Sequence, residues 1–112
     1  MKFYHYPKCT TCIKARKFLI AKYPEMEIID IKLNPLNYDQ IKEYHQKANC
    51  ELKRIFNTSG LSYKSLNLKE KLGSLSLDEA YKLLASDPML IKRPVIILDD
   101  KVFFGFKEDH FK

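Results

Sequence analysis

An α/β domain built on a mixed sheet is the fold class this sequence predicts, and two observations carry the prediction. Segments of strand and helix character alternate in the order β-α-β, several helices, then β-β-α. A Cys-x-x-Cys pair, Cys9 and Cys12, falls where the first strand gives way to the first helix, in the stretch "YHYPKCTTCIKARKFL".

Each element has a local cause. Lys2 to Tyr6 alternates and is rich in aromatics, as a strand is, and it stops at Pro7. From Thr10 to about Lys22 the apolar residues Ile13, Ala15, Phe18 and Leu19 recur at helical spacing. Glu27 to Ile31 is a short β-branched run and reads as the second strand. Asn37 with Gln40 has the pattern of a capping box, opening a helix that runs to about Ala48. Asn67 with Glu70 and Ser76 with Glu79 repeat that pattern, with Gly73 between them. Leu77, Ala80, Leu83 and Leu84 form an apolar stripe on the last of these helices, best read as core packing. Pro94 to Leu98, the Asp99-Asp100 pair and Lys101 to Phe104 predict a β-hairpin, with a short helix or tail after Gly105. The first two strands are expected to be parallel through a crossover helix and the last two antiparallel. With the cysteines at the first strand-to-helix turn, that is the thioredoxin-like arrangement.

Length and composition bound the function. A chain of 112 residues suits one domain spanning 1–112. Its 46% hydrophobic content, including seven Tyr and seven Phe, is enough for a core without structural metal or disulfides. Twenty basic residues against fourteen acids leave a net charge of +6, but the two signs are interspersed, which describes a solvated surface and not a nucleic-acid binder. The exception is residues 8 to 22, where Lys8, Lys14, Arg16, Lys17 and Lys22 occur with no acid among them. The start, "FYHYP" after Met1 and Lys2, lacks a secretory apolar region, and "VIIL" at Val95 to Leu98 is far too short to cross a bilayer. The expectation is a cytoplasmic chain without membrane partners, in which a Cys9–Cys12 disulfide is transient.

The cysteines are expected to differ in role. Cys9 at the helix N-cap faces unpaired backbone N–H groups and the positive end of the helix dipole, which favour a thiolate. Lys8, Lys14 and His5 lie close in sequence and add positive potential, so the Cys9 pKa is expected below the free-thiol value of roughly 8.5. Cys12, one turn further on, is placed to resolve an adduct formed at Cys9 and leave a redox-active Cys9–Cys12 disulfide. A structural zinc site needs four ligands. Cys50, His5, His45 and His110 supply no second pair at ligand spacing, which puts metal behind redox chemistry. Arg93 and Pro94 stand at the entrance of the third strand, the corner that faces the cysteine loop in a thioredoxin-like fold. There, Arg93 is a candidate to bind an oxyanion or a leaving thiolate, and Pro94 is a candidate cis residue.

Taken together, "YHYPKCTTCIKA", "FNTSGLSYKSL", "LLASDPMLIKRPVI" and "GFKE" make the chain resemble the arsenate reductase (ArsC)/Spx/MgsR family along essentially its whole length. The resemblance implies a four-stranded mixed sheet with an inserted helical segment, Cys9 as nucleophile, and Arg93 followed by a cis Pro94. It implies His5 as a tuner of the thiol through a His-x-x-x-Cys start, and adds Lys8, Thr10, Thr11, Asn57 and Pro94 as substrate-binding or tuning groups. Arsenate reductases of the family use further arginines around the oxyanion. Here Asn57 holds the middle position and Phe106 the later one, which leaves Arg93 alone and weakens the case for arsenate. The resemblance therefore favours a thiol-disulfide oxidoreductase acting on a thiol, disulfide or oxyanion substrate. It would need no metal or organic cofactor, and its electrons would come from thioredoxin, glutaredoxin or a low-molecular-weight thiol. The competing expectation is an Spx-like redox-switched regulator that binds the RNA polymerase α subunit; a third is a family member that keeps the fold without a redox role.

Overall fold

The computed structural model, which describes residues 1–112, sets Phe3 and Tyr4 in the middle of a four-stranded mixed sheet. The strands are β1 (Lys2–His5), β2 (Glu27–Asp30), β3 (Val95–Leu98) and β4 (Lys101–Phe104), in the spatial order β2-β1-β3-β4. β1 runs parallel to β2 with Phe3 opposite Ile28, and antiparallel to β3 with Phe3 opposite Ile96. β3 and β4 form the expected hairpin, Leu98 opposite Lys101. Its two-residue turn places Asp99 at φ 57°, a left-handed conformation that Asp tolerates better than most residues. Consecutive residues Phe3 and Tyr4 are both buried, so β1 is covered on both faces, not on the single face its alternation suggested.

The backbone divides into two compact units. The first comprises Met1–Asn34 and Arg93–Lys112, and the second is Pro35–Lys92. The first holds the whole sheet and the helix α1 (Thr10–Lys22). Phe3 and Ile96 on one sheet face pack with Ala15 and Leu19 of α1, Met26 and Phe111 as its core. Burying side chains of this size stabilises the unit by about 1.5–3 kcal/mol for each large one. The tail is tied in through a 3₁₀ turn, Glu108–Phe111, that delivers Phe111 to this core. Phe106, the residue at the later of the two positions discussed above, packs against Phe18 and Phe111.

One detail of α1 departs from the sequence reading. Its buried residues are Cys12, Ala15 and Leu19, whereas Ile13 is 54% exposed. Cys12 is one turn before Ala15 and two before Leu19, so it takes the inward position. Ile13, about 100° further round the helix, faces outward.

The second unit, inserted between β2 and β3, is helical: α2 (Tyr38–Ala48), α3 (Leu61–Ser65), α4 (Leu68–Lys71) and α5 (Leu77–Ser86), joined by short 3₁₀ turns. The capping boxes at Asn37–Gln40 and Ser76–Glu79 both form, with reciprocal bonds of 2.9 to 3.1 Å. The third does not. Asn67 takes a left-handed conformation at φ 53°, and its side-chain Nδ2 donates to Glu70 at 3.0 Å. Its side chain therefore caps no backbone N–H of the one-turn helix α4. Leu77 also departs from expectation: it is 54% exposed, and the inward set of α5 is Ala80, Tyr81 and Leu84. α2 and α5 are joined by Tyr38 Oη donating to Asp78 at 2.6 Å and by His45 Nδ1 lying 2.6 Å from Tyr81 Oη.

Candidate active site

The strand-to-helix turn between β1 and α1 brings the two cysteines to one place. Cys9 is the N-cap of α1, with extended backbone angles, and its N–H donates to the Tyr6 carbonyl at 2.9 Å. Its carbonyl receives the first helical bond, from Ile13 N at 3.1 Å. No acid occupies the first turn of the helix, so nothing there opposes the dipole. Both Cys9 and Cys12 are free thiols, Cys9 half-buried and Cys12 fully buried.

Burial by itself would raise the Cys9 pKa. It is outweighed by hydrogen bonds from the Cys12 backbone and thiol, by the Arg93 charge and by the Thr11 backbone, and the net shift is downward. Cys12 moves the other way. Burial dominates and pushes its pKa up to about 12, with the Cys9 sulfur adding to the rise while the Tyr6 backbone and Arg93 oppose it. The fold thus separates two chemically identical groups into one poised to ionise and one held protonated.

That separation has a consequence for stability. Folding favours the neutral thiol of Cys12, so its contribution is complete below the ordinary thiol pKa, near 9, and is lost as pH rises towards about 12. Cys12→Ala is expected to unfold with a shallower decline in stability across that alkaline window than the wild type. Urea midpoints measured at several pH values would show this, and parallel declines would contradict it.

The remaining predicted residues are placed as follows. Arg93 precedes a cis Pro94. Its guanidinium carbon sits 5.2 Å from the centre of the Tyr6 ring, a cation-π contact that helps fix the group near the cysteines. Pro94 is buried, and its carbonyl accepts from Gly105 N at 2.8 Å. Gly105 makes that bond at φ 87°, a conformation L side chains rarely adopt. Thr10 and Thr11 are exposed at the start of α1, and Thr11 acts on Cys9 through its backbone.

His5 ends β1 half-buried. Burial and then the Arg16 charge lower its pKa, against an opposing effect from Asp30, so the imidazole is neutral at pH 7. It does not supply the positive potential that proximity in sequence suggested; Arg93 does. Lys8 is exposed. Asn57 belongs to the second unit, where its N–H donates to Leu90 O at 2.7 Å and its Oδ1 accepts from Ser59 Oγ at 3.4 Å. A Cβ at Gly60 would meet Asn57 Nδ2 at 2.6 Å, so glycine permits this turn.

Cys50 and the other histidines are occupied elsewhere. His45 is held between Tyr81 Oη and the Cys50 carbonyl, the latter at 2.8 Å from Nε2, while His110 stacks on Phe103. Burial raises the Cys50 thiol pKa, with Arg54 opposing and Glu51 adding. No three of the His, Cys, Asp and Glu side chains are grouped as a metal ion would require. No helix is long and apolar enough to cross a membrane.

Tyr6 is a site residue that sequence reasoning missed. Its ring meets Arg93, and its backbone meets both cysteines. The only sequence signal was its place just before the Pro7 turn.

Known proteins share this fold along nearly the whole chain. The model of the ArsC family matches residues 4–112. YusI of Bacillus subtilis (strain 168), itself uncharacterized, is 49% identical over 112 residues, covering 100% of this chain and 95% of its own. The global transcriptional regulator Spx of Listeria innocua serovar 6a is 31% identical over 109 residues, covering 97% and 82%. Among solved structures, one described as a possible arsenate reductase from Streptococcus mutans UA159 superposes with a TM-score of 0.88 at 47% identity, covering 97% of this chain and 95% of that one.

Proposed function

The chain belongs to the ArsC family, and from that premise and the geometry at Cys9 we propose that it is a cytoplasmic thiol-disulfide oxidoreductase, with Cys9 the attacking thiol and Cys12 the resolving thiol. The observation that carries this reading is the placement of two free thiols at one helix N-terminus, Cys9 half-buried at the N-cap and Cys12 fully buried one turn on, which displaces their pKa in opposite directions.

The steps follow from that arrangement. The Cys9 thiolate attacks one sulfur of a substrate disulfide; that S–S bond breaks, a substrate thiolate leaves, and Cys9 is joined to the other half. Forming this bond removes the negative charge from Cys9. Two of the influences holding Cys12 protonated, its hydrogen bond to Cys9 and the Cys9 charge, disappear with it. Cys12 then gives up its proton to the departing thiolate or to water and attacks the Cys9 sulfur. The second substrate thiolate leaves, the Cys9–Cys12 disulfide forms, and the substrate has gained two electrons. A thioredoxin, a glutaredoxin or a low-molecular-weight thiol returns the pair to the reduced state. Arg93 stabilises the thiolates on either side of each transfer, which is electrostatic work and needs no metal or organic cofactor.

An oxyanion such as arsenate is the less favoured substrate. Arg93 is the single arginine of the site, Asn57 is engaged in a turn of the second unit, and Phe106 is part of the aromatic packing. The likeness to Spx supports a second reading, a regulator in which the Cys9–Cys12 disulfide gates binding to the RNA polymerase α subunit. Loss of α-subunit binding on reduction or on oxidation would favour it.

Cys12→Ser provides the test of the leading reading. Mixed with a peptide disulfide in the absence of reductant, it is expected to accumulate a one-to-one mixed disulfide at Cys9 that mass spectrometry locates, while the wild type passes on to the internal disulfide. If no adduct forms at Cys9, or the wild type accumulates the same adduct, the proposed division of labour is wrong.

A further inference from the structure

Beside the Cys9 turn, the outward face of α1 forms an open groove of about 260 Å³ lined by His5, Pro7, Ile13, Arg16, Lys17 and Ile20. It is too small for a typical drug-sized ligand and large enough for one or two protein side chains. Its floor is apolar: Ile13 is 54% exposed on a helix whose other outward residues are mostly basic or small. Arg16 and Lys17 line it, and Lys8, Lys14 and Lys22 are exposed on the same stretch, which holds no acid between residues 8 and 22. The three ion pairs of the protein, Glu43–Lys47, Asp78–Lys82 and Asp109–Lys112, all lie elsewhere, so none of these cations is held in an ion pair. The acid that acts on His5, Asp30, has a carboxylate oxygen committed to the backbone N–H groups of Lys32 at 2.8 Å and Leu33 at 3.2 Å.

We propose that this groove docks an acidic segment of a partner protein, with an apolar side chain of the segment seated against Ile13 and Ile20 and its carboxylates facing Arg16 and Lys17. The proposal rests on the reading of Cys9 as a thiol that reacts with other proteins and names the chemistry of the segment that would carry their disulfide. Position supports the link, because of the residues lining the groove His5 ends β1 and Pro7 lies in the turn that leads from it to Cys9. Charge complementarity fixes the sign of the occupant, and the apolar floor separates it from a free small anion. A nucleic-acid strand suits the groove less well. None of its lining residues is a Tyr, Phe or Trp on which bases could stack, and His5, the one ring there besides Pro7, is half-buried.

The test needs no exchange chemistry. A labelled peptide of alternating Asp and Leu, with Ser where a cysteine would stand, is titrated with the full chain by fluorescence anisotropy. It is expected to bind about tenfold or more tighter than its counterpart with Lys for Asp, and to weaken as salt is raised. The double variant Arg16→Glu, Lys17→Glu should lose that preference, and Ile13→Ser should weaken binding to the acidic peptide severalfold. All three positions are exposed, so unchanged thermal unfolding serves as the control. Equal binding of both peptides, binding indifferent to both variants, or displacement of the acidic peptide by a single-stranded oligonucleotide at lower concentration overturns the proposal.

Placing a disulfide in the same peptides separates this inference from the reading it rests on. Exchange at Cys9 without charge preference refutes the docking surface alone. Preferential binding without exchange refutes the role of Cys9 alone.

Discussion

Cys9→Ser is expected to lose disulfide reduction by about 10³-fold or more while leaving the fold at least as stable as the wild type. The two halves of that expectation have one origin. Cys9 is the N-cap of α1, yet its side chain makes no capping hydrogen bond. Serine is among the preferred N-cap residues, so the substitution can gain a cap worth up to about 1 kcal/mol even as it removes the nucleophile. Turnover of a peptide disulfide, measured beside a denaturant midpoint, reads both effects. Retained turnover would assign the attack to another group. Lost turnover with a strongly lowered midpoint would trace the effect to unfolding instead.

Arg93→Gln should slow Cys9 alkylation at neutral pH and move its inflection upward, because the guanidinium charge is one of the influences that lower the Cys9 pKa. The larger effect falls on anionic substrates. Removing a charge-assisted partner of about 1.5–3 kcal/mol predicts a loss of roughly 10- to 100-fold in kcat/KM for a negatively charged disulfide. A neutral disulfide should lose only what the changed thiol costs. Steady-state kinetics on a matched pair of peptides would separate the two, and equal losses on both would mean that Arg93 acts on the thiol and not on the substrate. Its contact with the Tyr6 ring suggests that Tyr6→Leu weakens the same discrimination indirectly.

Much of this site was legible in the sequence because its logic is local. Two cysteines three apart, at the point where an aromatic strand turns into a basic helix, fix an N-cap position and a second thiol one turn later on the side that can reach it. Arg93 and Pro94 needed topology as well, since only the strand order relates the entrance of β3 to the turn after β1. What the sequence could not convey depends on packing. Apolar and basic residues interleave closely along α1, so the pattern could not tell that Cys12 and not Ile13 faces inward. His5 looked cationic by proximity, but burial and Arg16 decide its charge, and neither is visible before the chain folds. Asn67 carried the letters of a capping box, and its left-handed backbone turned the side chain to Glu70 instead. Tyr6 was read only as the end of a strand, although its ring and backbone serve three groups of the site.

The account stands or falls on the two thiols being unlike each other. Site-resolved alkylation of the reduced protein across a pH series, with Cys9 and Cys12 quantified separately by mass spectrometry, measures that directly. Cys9 is expected to react first, with an inflection below the free-thiol value of roughly 8.5, and Cys12 to stay protected until far more alkaline pH, consistent with a pKa near 12. Reaction of Cys12 before Cys9, or of both together with a common inflection at or above the free-thiol value, would contradict the account.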